Sequence, residues 1–374
     1  MKKIILIDHE PYTVHRGNIF YMDYLISCGF EVEVWDISAY LYADLNLYKG
    51  EDVGYLYRFS SQEQLAEQLG KTEIPGALFI VEVPNHWKNR KIFKLLKDYG
   101  CYTIRLSLYE ASNLPPLPLL KRLKYVETGK MIQYLRIAGG AFLYRFYRYR
   151  YHFKPYDLYI SSRESLPGIL RINQTDYETY QKIKDCEALI QKPYVVFIDQ
   201  YFPLHPDFAI FYHKKLQGEK QYQQILNQFF SRIEQKYQVE VVIAAHPKSA
   251  YVPETFQGRK IIKYKSPELI KYAQFVIMHT SLAISFVLLF NKPVIFITTE
   301  QYNSYKKLRM LEEKLALLCR KKIINIEKDD KEELDVSPVE EECRKKYIYT
   351  YLTSPQNEDQ SNRVLLRDIF LSLS

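Results

Sequence analysis

The chain reads as an α/β protein built from two successive halves, each a parallel sheet covered on both faces by helices. Three observations predict this. Short apolar runs rich in Val, Ile and Phe alternate with longer amphipathic stretches, the pattern of strand and helix in repeated βα units. The 374 residues exceed one ordinary domain and suit two of roughly 150 to 190 residues. Gly29 and Gly100 stand where an amphipathic stretch ends and the next apolar run begins, the place of a left-handed C-terminal residue.

In order, the first half reads as strand KKIILID, a polar loop HEPYTVHRGN, a helix around IFYMDYLISCG and strand EVEVWDI. Strand GALFIVEV, helix KNRKIFKLLKDYG and strand CYTIRLSL follow. Asn113-Leu-Pro-Pro-Leu-Pro118 then breaks the pattern and opens a basic aromatic segment, 117–156. The second series starts at PYVVFIDQ (193–200) and runs through a helix near 219–236, VEVVIAAHP, strand KIIKY, helix SPELIKYA, strand FVIM, helix SLAISFVLLF and strand PVIFI. The expected organisation is an acceptor-side domain over 1–165, a linker over 166–192, a second domain over 193–340, and a helical tail over 341–374 that can pack back on the first. No internal repeat of 20 to 50 residues is visible.

The net charge of +8 is local. Residues 117–156 hold nine Lys and Arg against Glu127 alone, a surplus equal to that of the whole chain. A general nucleic-acid binder with basic faces spread over the fold is therefore disfavoured. The five cysteines are odd in number and widely spaced, as expected of reduced structural thiols. MKKIILIDHEP has only four apolar residues before Asp8, too few for a signal-peptide core, so a cytoplasmic chain is expected. Tyr272 to Asn291 lacks Asp, Glu, Lys and Arg, but Gln274, His279, Thr280, Ser281 and Ser285 interrupt it. A buried strand and helix explain it without lipid.

The densest polar signal follows strands of the second half, where open parallel sheets place their ligand loops. His246-Pro247 ends one strand. Ser266 reads as the N-cap of a helix with Glu268 in its first turn. His279, Thr280 and Ser281 end another strand and open a helix whose free N–H groups suit a phosphate. No Asp-x-Asp stands after a strand in a metal-holding place, and Asp329-Asp330 lies in a charged run.

His246-Pro247, then Thr280-Ser281, then Lys292-Pro293 resemble the nucleotide-binding domain of GT-B glycosyltransferases. Within that class they look like the bacterial sialyl-, polysialyl- and Kdo-type transferases of surface polysaccharides that use CMP-linked acidic sugars. The resemblance implies two Rossmann-like domains facing a central cleft, and an inverting, metal-independent transfer with no cofactor beyond the nucleotide-sugar substrate. It implies that His246, Pro247, Ser266, Glu268, His279, Thr280 and Ser281 line the nucleotide, with His246 also catalytic. Two positions depart from it: Phe286 stands where many relatives carry Glu, and Asn291 where they carry Gly. A CDP-glycerol-type polyol-phosphate transferase, a GT-B-shaped nucleotide-sugar 2-epimerase and a non-catalytic nucleotide-binding scaffold share much of this pattern.

The acceptor half must supply a general base for a sugar hydroxyl. Glu10 is the first candidate, followed by His15, Glu82 and Glu110, all in loops after strands; Gly17 would allow close backbone approach. Asp199 and Gln200, after YVVFI, read equally as cleft or solvated-loop residues. Within 117–156, R-Y-R-Y-H-F-K alternates as a strand would, whereas LLKRLKY and MIQYLRI look helical. Interleaved aromatic and basic residues suit an anionic inner-leaflet surface near a glycan or lipid-linked acceptor. They also suit packing between domains and, least, single-stranded nucleic acid.

Overall fold

The computed structural model describes residues 2–42, 50–108, 114, 116–118, 131–152, 154–164, 168–206, 216–328 and 333–373, without the side chains of 131–137. Glu110, Asp329-Asp330 and most of 117–130 lie outside the described residues. The chain divides into two compact units. The first comprises Met1–Leu108, Glu127–Asn173 and Pro355–Ser374; the second comprises Gln174–Ser354 with the described residues among 109–126.

In the first unit, β1 (Lys3–Asp8), β2 (Glu31–Asp36), β3 (Leu56–Arg58), β4 (Leu78–Glu82), β5 (Tyr102–Ser107), β6 (Leu158–Ser161) and β7 (Ile169–Arg171) form one parallel sheet in the order β3-β2-β1-β4-β5-β6-β7. The central strands are apolar on both faces because helices cover both. Ile4, Leu6, Val34 and Ile80 face one core, and Ile5, Ile7, Trp35, Phe79 and Val81 the other. The helices of this unit are α1 (Val14–Ile19), α2 (Met22–Ser27), α3 (Ser38–Leu41), α4 (Gln62–Lys71), α5 (Arg90–Asp98) and α6 (Met131–Arg150).

The second unit repeats the topology with β8 (Tyr194–Ile198), β9 (Glu240–Ala245), β10 (Ile261–Lys263), β11 (Val276–Met278), β12 (Val294–Thr298) and β13 (Ile323–Asn325), all parallel in the order β10-β9-β8-β11-β12-β13. Its helices are α7 (Thr175–Ile183), α8 (Glu219–Tyr237), α9 (Ser266–Tyr272), α10 (Ile284–Leu289), α11 (Glu300–Asn303), α12 (Lys306–Leu318) and α13 (Glu341–Tyr347). A last helix, α14 (Asn362–Ser372), belongs to the first unit. In each sheet the strand order reverses beside the first strand, so both units are Rossmann-like, with switch points at β1/β4 and β8/β11.

Four expectations are corrected. The segment 166–192 is no bare linker: it carries β7 and α7, and Tyr177 of α7 enters the second unit's core. The first unit therefore runs to Asn173, and α13 lies in the second unit, leaving Pro355–Ser374 to the first. The alternation at 148–154 does not make a strand, because α6 continues to Arg150 and buries Tyr144 while Tyr149 stays exposed. Ser266 is the first residue of α9 rather than its cap; Lys265 occupies the N-cap and no side chain caps there.

The tail is fixed in the first unit by polar and apolar contacts. Leu366 and Phe370 are fully buried, with Phe370 edge-on to Phe30 at 6.5 Å. Asn173 and Asn362 are both fully buried and bonded to each other twice: Asn173 N–H donates to Asn362 Oδ1 and Asn362 Nδ2 to the Asn173 carbonyl, each at 2.7 Å.

Candidate functional site

At the first unit's switch point, Asp8 ends β1 and Glu82 ends β4, in register across the sheet. Asp8 is 2% exposed and takes both arms of the Arg16 guanidinium, Nη2 to Oδ1 at 2.9 Å and Nε to Oδ2. Arg16 Nη1 also lies 3.1 Å from Glu10 Oε2. Arg105 Nη1 donates to Glu82 Oε2 at 2.9 Å, and His9 Nδ1 donates to the Glu82 carbonyl. The remaining carboxylate oxygen, Glu82 Oε1, is buried without a hydrogen-bond partner among the described residues. Burial raises the Glu82 carboxyl to about 7 despite the opposing Arg105 charge.

This arrangement reorders the candidate bases. Glu10 is half-exposed and committed to Arg16; His15 is exposed on the first turn of α1. Glu82 combines an oxygen fixed by Arg105 with one that is buried and has no hydrogen-bond partner among the described residues, and burial brings its proton affinity near neutrality. The Asp8–Arg16 pair was missed in sequence, since nothing in the loop spacing shows that Arg16 turns back to the strand end. Gly17 serves packing instead of ligand approach: a Cβ there would collide with the Tyr12 hydroxyl, which bonds Tyr55 at 2.9 Å.

In the second unit, the neighbouring strands β9, β8 and β11 bring His246, Asp199 and His279 to one sheet edge. Asp199 is buried, no solvated-loop residue. Its carboxylate accepts from the backbone N–H of His246 at 3.2 Å, from that of Tyr201 at 2.9 Å and from the Tyr251 hydroxyl at 3.1 Å. Burial lifts its carboxyl to about 6, these three bonds opposing the rise. The loops after β8 and β9 are thus tied to a single side chain. His246 is half-buried, and its Nδ1 accepts from Lys248 N–H at 3.1 Å, which puts the neutral ring's proton on Nε2. His205, which carried no sequence signal, sits edge-on to His246 with ring centroids 4.5 Å apart.

His279 and Thr280 have no exposed surface, so their expected contact with a ligand is corrected to a supporting role. His279 Nδ1 donates to the Ile297 carbonyl, Nε2 accepts from the Tyr222 hydroxyl at 2.7 Å, and the ring stacks on Tyr302 at 4.3 Å. Glu312, fully buried, lies 3.6 Å from His279 Nδ1 and is raised by that burial. Gln200 Nε2 donates to Thr280 Oγ1, and the Tyr302 hydroxyl donates to Gln200 Oε1 at 2.9 Å. Ser281 is half-buried at the loop surface, its Oγ accepting from Ala283 N–H at 3.1 Å.

The helix after Ser281 starts only at Ile284 and has six residues, so its dipole contributes less to an anion than the sequence suggested. Pro247 is exposed beside His246. Glu268 is engaged with Lys265 at 2.7 Å, after the edge strand β10, two strands away from β8. The departures at 286 and 291 also resolve. Phe286 is core. Asn291 adopts the left-handed conformation (φ 52°) that closes α10, with Lys292 N–H returning to the Val287 carbonyl at 2.9 Å, so Asn performs the turn that Gly otherwise makes.

No family model matches the chain, and no curated protein matches it in sequence. Among solved structures it is similar to the glycosyltransferase SnogD from Streptomyces nogalater, at 11% identity and a TM-score of 0.47 over 100% of this chain and 99% of that one. It is also similar to the wall teichoic acid polymerase TagF (11%, TM-score 0.45, 99% and 89%) and to Acinetobacter baumannii MurG (10%, TM-score 0.40, 99% and 94%). These likenesses concern the fold alone.

Proposed function

We propose that the chain is a GT-B-like glycosyltransferase that moves a sugar from a nucleotide-activated donor, a CMP-linked acidic sugar, to a hydroxyl of a surface glycan such as lipopolysaccharide or capsule. The observation that carries the reading is the matched pair of switch points, each lined by polar side chains of complementary use. In the first unit Glu82 offers a carboxylate oxygen unpartnered among the described residues, with near-neutral proton affinity. In the second, His246 is held by the Asp199 anchor beside the Ser281 loop.

In this reading Glu82 accepts the acceptor hydroxyl's proton as its oxygen bonds to the anomeric carbon. The bond from that carbon to the nucleotide phosphate breaks with inversion. His246 Nε2–H and the Ser281 hydroxyl stabilise the charge gathering on the departing phosphate, without a metal. The exposed aromatic face of α6, with Phe142, Phe146 and Tyr149 between Arg145 and Arg150, supports peripheral contact with the inner leaflet. Among the described residues no helix is long and apolar enough to cross a membrane.

Thermal-shift measurements with CMP, CDP, UDP and GDP test the donor side. CMP is expected to raise Tm most, and His246→Ala to remove the response while the nucleotide-free Tm stays unchanged. A larger response to CDP with transfer of a polyol phosphate selects the CDP-glycerol-type reaction. No response to any nucleotide rejects the transferase in favour of a scaffold with a degenerate nucleotide site.

A further inference from the structure

Against the first unit's body, α6 leaves a groove of about 1100 Å³ between itself and the turn 85–88 after β4. Its walls are built, since Tyr144 donates to Asn85 Oδ1 at 2.5 Å and Trp87 is held between Arg90, 3.9 Å above its ring, and the edge of Tyr147. Lys97 Nζ ties down the helix's far end through the Tyr151 and His152 carbonyls. Four cations line the groove: Lys88, Arg145, Arg148 and Lys154. Among the described residues none of them has a carboxylate within 4.0 Å, whereas Arg16, Arg58, Arg105 and Arg367 of the same unit do. Among the described residues Arg148 Nε is moreover buried with no hydrogen-bond partner, its guanidinium 5.9 Å from the centre of the Tyr144 ring.

Cations gathered in a walled groove without counter-charge repel one another, a cost that an anion with several oxygens removes. Arginine forks fit a phosphate in particular. The source of that phosphate follows from the outer face of the same helix. Phe142, Phe146 and Tyr149 are 70%, 59% and 75% exposed and fall on one side at helical spacing, next to Arg145 at the groove's lip. A soluble ligand has no use for that stripe.

We propose that this groove binds the phosphate group of a lipid resident in the bilayer on which α6 lies. The proposal rests on the membrane placement given above and is independent of the transfer reaction. It extends that placement from a charged surface to a site with a defined ligand chemistry: a phosphate ester carried on an apolar chain.

Vesicle co-sedimentation tests it with phosphatidic acid in phosphatidylcholine, against oleate in phosphatidylcholine matched in surface potential. The wild-type chain is expected to bind the phosphate-bearing vesicles about tenfold more tightly, as an added charge-assisted fork would give. Arg145→Gln with Arg148→Gln should abolish the preference while binding through the aromatic stripe persists. Lys88→Gln with Lys154→Gln provides a second variant should the first not fold. Phe142→Ser with Phe146→Ser should weaken binding to both vesicles equally. Equal wild-type binding to the two vesicles, or a preference surviving in both cation variants, overturns the groove but leaves the membrane placement standing. Binding to neither overturns both. Glycerol 3-phosphate bound as tightly in solution overturns the lipid source.

Discussion

Glu82 and Glu10 show how little a loop position says about proton chemistry. Glu10 follows β1 whereas Glu82 is the last residue of β4, and sequence spacing favours Glu10. What separates them is tertiary: Arg16 occupies Glu10, while among the described residues Glu82 keeps one buried oxygen unpaired. Glu82→Gln keeps an acceptor for Arg105 but cannot take a proton, so transfer should fall by roughly 10² to 10⁴. In the wild type, kcat/KM should rise tenfold per pH unit up to about 7 and then level, as the carboxyl ionises. A rate within a few-fold of wild type removes Glu82 as base. Stability has the opposite slope. Because the folded carboxyl sits above its ordinary 4.5, the folded state holds a proton that the unfolded chain has released between 4.5 and about 7. Stability therefore declines as pH rises through that window, and urea titrations of Glu82→Gln should lack this decline. His246 was legible from its Pro and its place after a strand. Asp199, which organises it, was not, because a buried acid in a loop looks like a solvated one until its three donors are seen.

Among the elements, the central strands were the most legible, since strands covered on both faces read as unbroken apolar runs such as KIILI and YVVFI. The failure at 148–154 is instructive. Seven alternating residues satisfy a strand template, but the preceding turns of α6 bury Tyr144 and half-bury Tyr147 and Arg148 on a helical period, and the longer pattern prevails. At the end of α10, Asn291 holds the left-handed position. Asn291→Gly should therefore be neutral or slightly stabilising, whereas Asn291→Ala should cost about 1 kcal/mol in urea unfolding. Equal stability of the three forms would show that the turn imposes no such demand. The same reasoning explains why a departure from the family pattern at 291 leaves the local geometry intact, while Phe286 removes a polar group outright by joining the core.

For the whole molecule, the count of two Rossmann-like units follows from length and alternation, but the path of the chain does not. The helical pattern of the tail allows it to pack back on the first domain, and α14 does so, but an amphipathic helix specifies a buried face without naming the partner residues. Phe370→Ala and Leu366→Ala should each destabilise the first unit by about 2 to 5 kcal/mol and leave the second unit's unfolding transition in place. Hydrogen exchange resolved by segment checks this, and equal loss of protection in residues 194–298 would refute the assignment of the tail.

That closing helix also makes the first unit depend on residues late in the chain. Gln174–Ser354 precede Asn362, Leu366 and Phe370 in the chain, and the first unit needs those later residues for its core and for the Asn173–Asn362 bonds. Until Leu366 and Phe370 dock, the Phe30 side of the first unit's sheet stays uncovered. A stalled or prematurely ended chain carries an intact second unit attached to an exposed apolar face, a form that chaperones and proteases can distinguish from the finished protein.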